Sequence, residues 1–78
     1  MRQKIHLETM RDIEQFVKNV SLINDDVFIE DGLGSRVTAK SLMFTATAKM
    51  YWAELYVTCE KDIYMSIKDF IVDASTNE

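Results

Sequence analysis

The stretch Glu54-Leu55-Tyr56-Val57-Thr58-Cys59-Glu60 decides the fold. Successive side chains of an extended chain point to opposite faces. Leu55, Val57 and Cys59 therefore share one face, and Tyr56 and Thr58 the other. This is the clearest strand in the chain, and it comes late. Residues 3–7 read as an earlier strand, in which Ile5 and Leu7 alternate with Lys4 and His6. Residues 26–30, with Val27, Phe28 and Ile29, read as another. Residues 36–39 return after Asp31-Gly32-Leu33-Gly34-Ser35, a turn that holds both glycines of the chain. That pair predicts a β-hairpin.

Helical spacing fills the intervals. Thr9 is placed to cap a first helix, with Asp12 in its first turn, where a negative charge suits the helix dipole. Met10, Ile13, Phe16, Val17 and Val20 make one apolar face, and the helix ends near Ser21. Ser41 is placed to cap a second helix over residues 42–50. With Leu42, Met43, Phe44, Ala46, Ala48 and Met50 it is apolar for a short surface helix, and the group Leu42, Met43, Phe44 and Met50 reads either as core or as a docking patch. Tyr51 and Trp52 follow at the turn into the late strand, at the edge of the core. Asp62 is placed to cap a last helix with Ile63, Ile67, Phe70, Ile71 and Ala74 as its stripe, and residues 75–78 form a polar tail expected to fray.

The order is β-α-β-β-α-β-α. The economical arrangement inserts the late strand between the first and second. It predicts one α+β domain over residues 1–78, a four-stranded antiparallel sheet covered on one face by three helices.

With 78 residues the chain has room for one small domain. It is 47% hydrophobic, too apolar for an intrinsically disordered segment. A net charge of −4 argues against sequence-independent binding to nucleic acid, which rests on Lys and Arg neutralising phosphates. No apolar run approaches the roughly 20 residues of a membrane span. Arg2 and Lys4 are followed by Glu8, Arg11 and Asp12, not by the apolar stretch of a secretory signal. Cys59, which reads as buried, is the single cysteine and has no partner for an internal disulfide, which points to a reducing cytoplasm. One cysteine and one distant histidine make no metal-ligand set, and no cofactor motif is present.

Three pieces carry a family resemblance: Arg11, the run Gln15-Phe16-Val17-Lys18, and Thr38-Ala39-Lys40-Ser41-Leu42. Together with the order of elements between them, they make the chain resemble the histidine-containing phosphocarrier protein (HPr) of the bacterial sugar phosphotransferase system, over residues 9–72. The resemblance implies an open-faced β-sandwich. In that family a histidine within a Gly-Leu-His-Thr-Arg-Pro run opens the first helix and carries the phosphoryl group. Here the matching segment is Glu8-Thr9-Met10-Arg11-Asp12, so Thr9 stands where the histidine would be. Arg11 matches the arginine that helps hold the phosphate, and Asp12 replaces a proline. Ser41 matches a serine that a regulatory kinase phosphorylates in many Gram-positive members. Leu42 and Met43 match apolar residues that dock on partner proteins, and Phe44 replaces a polar one.

Phosphocarrier chemistry needs an exposed imidazole at a helix N-terminus, where free N–H groups stabilise the incoming phosphate. A threonine hydroxyl is a poor nucleophile without a base. The expectation is therefore a non-catalytic interaction or regulatory domain. Its partners would be phosphotransferase-system or carbon-regulation proteins, with Ser41 a candidate phosphorylation site as well as a cap. The same apolar patch could also join copies of the chain. The rival expectation is an active phosphocarrier using His6 or Thr9. His6 reads either as a displaced acceptor or as an outward-facing strand residue. Arg11 reads either as an anion ligand or as a solvated helix-end side chain paired with Glu8 or Glu14.

Overall fold

The architecture comes from a computed structural model that describes residues 1–72. The elements are β1 (Arg2–Ile5), α1 (Met10–Ser21), β2 (Val27–Glu30), β3 (Arg36–Thr38), α2 (Leu42–Tyr51), β4 (Leu55–Cys59) and α3 (Tyr64–Ile67). A 3₁₀ turn, Lys68–Phe70, follows α3. The fold is α+β. Its single sheet has the order β1-β4-β2-β3, and every neighbouring pair is antiparallel. The late strand β4 does lie between β1 and β2, as its alternation and position in the chain imply.

Register explains the two faces. Ile5 pairs with Leu55, Val57 with Ile29, and Cys59 with Val27. These six side chains point the same way and are buried. Ile13, Phe16 and Val20 of α1, Ala48 of α2, and Ile67 of α3 join them in one core with Phe70. Full burial of a branched or aromatic side chain contributes about 1.5–3 kcal/mol, so this cluster is the main force holding helices on the sheet. Phe16 and Phe70 meet edge to face, ring centroids 5.6 Å apart at 88°.

The opposite face bears Arg2, Lys4, Phe28, Glu30, Arg36, Tyr56 and Thr58. Its cations are engaged by their neighbours. Arg2 lies over the Tyr56 ring at 4.0 Å and Arg36 over Phe28 at 3.7 Å. Arg2 is also 3.6 Å from Glu30, and Lys4 is 3.2 Å from Glu54.

The hairpin turn works as its composition implies. Gly32 and Gly34 adopt φ of 82° and 113°, a region that L side chains avoid. The Asp31 carboxylate accepts from the N–H groups of Leu33 (2.7 Å) and Ser35 (3.0 Å). Those bonds hold its pKa below the ordinary value, Leu33 contributing most.

Three elements differ from the sequence reading. β1 covers residues 2–5, not 3–7. Leu7 is still fully buried, but His6 lies past the end of the strand. Met10 is half exposed instead of joining the apolar face of α1. The last helix stops after one turn. Asp62 accepts from the Tyr64 N–H at 2.9 Å but does not occupy the cap position, which is Ile63. The chain then extends, so that Ile71 bridges Ile5, the His6 N–H donates to the Phe70 carbonyl (2.8 Å), and the Val72 N–H donates to that of Lys4 (3.0 Å). A longer helix would have left the outer edge of β1 without these backbone partners. Ala74 and the tail 75–78 lie outside the described residues.

Candidate functional site

The first candidate locus is the start of α1. Thr9 is extended (φ −117°, ψ 166°) and caps the helix: its hydroxyl accepts from the Asp12 N–H at 3.1 Å. The Asp12 carboxylate reaches back and accepts from the N–H groups of Glu8 (3.0 Å) and Thr9 (3.2 Å). This reciprocal capping box was legible in Thr9-x-x-Asp12, although the sequence reading used only its two separate halves. The consequence is chemical. The Asp12 carboxylate places a negative charge against the helix start, where it would repel a phosphate. The N–H bonds from Glu8 and then Thr9 hold the Asp12 pKa below its ordinary value, with a smaller contribution from the charge of His6.

His6 is exposed, one residue beyond β1, with its backbone N–H tied to Phe70. Arg11 is exposed, and no ion pair to it occurs among the described residues. Thr9, His6 and Arg11 therefore lie about a helix end that carries a carboxylate of the chain itself, Asp12.

The second locus is the start of α2, and the run Thr38-Ala39-Lys40-Ser41 builds it. Ala39 is fully buried, and its N–H donates to the Val27 carbonyl at 2.8 Å. The Thr38 hydroxyl accepts from the Lys40 N–H at 3.2 Å. The Lys40 ammonium donates to the Ile23 carbonyl at 2.5 Å, tying the loop after α1 to this joint. Ser41, fixed by these bonds, caps α2 by accepting from the Phe44 N–H at 3.1 Å. Thr45 is fully buried and donates to the Ala39 carbonyl at 3.3 Å.

Thus α2 meets the core through small residues, Thr45 and Ala48 buried and Ala46 partly so. Its large apolar side chains face away. Leu42 is 41% exposed, Met43 75% and Phe44 50%. Met50 and Tyr51, at the far end of the helix, are as exposed as Met43. The choice between core and surface patch is resolved in favour of the surface. The sequence reading missed Tyr51 as part of this face. The helical repeat of Met43 with Met50, and of Phe44 with Tyr51, was the available signal.

Cys59 is buried and unpaired. No group of three or more potential metal ligands occurs among the described residues. No described helix is long and apolar enough to cross a membrane. No known protein-family model matches the chain, and no curated protein or solved structure matches it.

Proposed function

We propose that the chain is a non-catalytic interaction domain of HPr-like architecture. It docks on a protein of sugar transport or carbon regulation through Ser41, Leu42, Met43 and Phe44. The observation that carries this reading is the exposure of three consecutive large apolar side chains directly behind the Ser41 cap. The strand order β1-β4-β2-β3, with helices after the first, third and fourth strands, is consistent with that architecture. The capping box counts against phosphoryl transfer, because it fixes the Asp12 carboxylate at the helix start, where it would repel an incoming phosphate.

Control by phosphorylation fits the same locus. A phosphate on Ser41 would add about 1.5–2 negative charges at the N-terminus of α2, where the dipole favours them, and would change the charge of the docking surface beside it. Two incubations test the reading by intact mass. With phosphoenolpyruvate and the general enzyme of the phosphotransferase system, the mass stays unchanged. An acid-labile phosphate, on His6 or Thr9, overturns the proposal in favour of a working phosphocarrier. With ATP and the regulatory kinase, an acid-stable ester forms and disappears in Ser41→Ala. An ester that persists in that variant rules out Ser41 as the acceptor.

A further inference from the structure

The outward face of α2 holds a pattern that docking at its first turn does not use. At about 100° per residue, Met43, Phe44, Thr47, Met50 and Tyr51 share an arc of about 120°, with buried Thr45 opposite it and buried Ala48 about 40° beyond its edge at Phe44. No Asp, Glu, Lys or Arg falls within that arc. At its centre the Thr47 hydroxyl donates back to the Met43 carbonyl at 2.8 Å, so its polar group is satisfied inside the helix.

The large residues of the face sit symmetrically about Thr47, with methionine and aromatic ring exchanged between the two sides. Met43 and Phe44 precede it by four and three residues. Met50 and Tyr51 follow it by three and four. A second helix laid antiparallel, with a two-fold axis at Thr47, sets Met43 against Tyr51 of the second copy and Phe44 against Met50 of the second copy. Each contact then occurs twice, and each joins a thioether to an aromatic ring, a favourable pairing.

We propose that α2 is the interface of an isologous homodimer of this chain. The inference rests on the reading of α2 as an interaction surface and names an occupant for it, a second copy. Self-association and partner docking then compete for Met43 and Phe44. The four large side chains leave on the order of 600 Å² exposed per copy, so their pairing removes at most about 1,200 Å², the low end for a specific interface. A face free of charge also brings no like-charge repulsion to its own copy. The expected dimer is weak, with a dissociation constant on the order of micromolar or above.

Sedimentation equilibrium from micromolar to millimolar protein tests this. The expected result is a reversible monomer–dimer equilibrium. Thr47→Lys puts two like charges at the axis and weakens it at least about tenfold, with an unchanged circular dichroism spectrum. Thr47→Cys gives a disulfide-linked dimer on mild oxidation, whereas the wild type, whose Cys59 is buried, does not. A monomer throughout, or a dimer indifferent to Thr47→Lys, overturns the proposal. For a monomer, an NMR titration with the general phosphotransferase enzyme separates the two readings. Shifts at residues 42–44 leave partner docking standing, and their absence removes support for both.

Discussion

The edge-to-face contact between Phe16 and Phe70 fixes where the C-terminal segment sits, and a double-mutant cycle measures it. The perturbations are Phe16→Leu, Phe70→Leu and the pair together. Both rings are buried, Phe16 completely. Each single change keeps most of the apolar volume and should cost about 1–2 kcal/mol. That is a large share of a domain this small, whose total stability is roughly 4–12 kcal/mol at 0.05–0.15 kcal/mol per residue. The ring pair itself, at 5.6 Å and 88°, adds about 0.5–1.5 kcal/mol beyond area burial. The double variant should therefore lose less than the sum of the singles by about that amount. Urea unfolding followed by circular dichroism, with the slope unchanged across the four proteins, supplies the free energies. A coupling below about 0.3 kcal/mol, the level expected for distant sites, would refute the contact and the path of the chain after α3.

Asp12→Asn should destabilise the protein at neutral pH and matter less in acid. The folded-state pKa of Asp12 lies below the ordinary 3.8, so its contribution is present above that value and is lost as pH falls through the folded pKa. Melting temperatures of the two proteins should converge in strong acid, and a constant gap down to that range would contradict the capping box. Gly34→Ala should cost about 1 kcal/mol or more through its positive φ alone, since nothing lies within 4 Å of the added Cβ. Gly32→Ala should cost more, because its Cβ would also meet Tyr56 Cε2 at 3.1 Å; equal thermal losses would argue against that approach. Ser41→Ala should remove the α2 cap at about 1 kcal/mol, read as a lower urea midpoint, while Ser41→Asp keeps an acceptor there and stays near wild type.

The sheet was legible because its strands obey simple period-two patterns. Leu55, Val57 and Cys59 could be buried only together, and two glycines in one five-residue turn left the hairpin little alternative. Both long helices announced their starts through Thr9 and Ser41. The end of the chain was not legible. Ile63, Ile67, Phe70 and Ile71 fit a continuous helix by spacing, and pattern alone carries no term for the unpaired edge of β1 that draws residues 70–72 into extended pairing. Met10 shows the same limit, since its helical spacing places it with Ile13 although it stays half exposed. At the candidate sites, residue identity pointed to both loci. Whether Leu42, Met43 and Phe44 faced in or out depended on Thr45 and Ala48, the small residues that turned out to fill the inward side of α2. The sequence treated them as background to the larger ones.

The central position of β4 has a bearing on biosynthesis. β1 joins the β2–β3 hairpin only through β4, a strand more than twenty residues downstream of both β1 and β2, so the two halves cannot join until residues 55–59 have left the ribosome. Until then only the β2–β3 hairpin can pair, and the sheet-facing sides of both helices stay open to chaperones. Translation stalled before residue 55 would yield a fragment with no route to the four-stranded sheet, however well its hairpin formed.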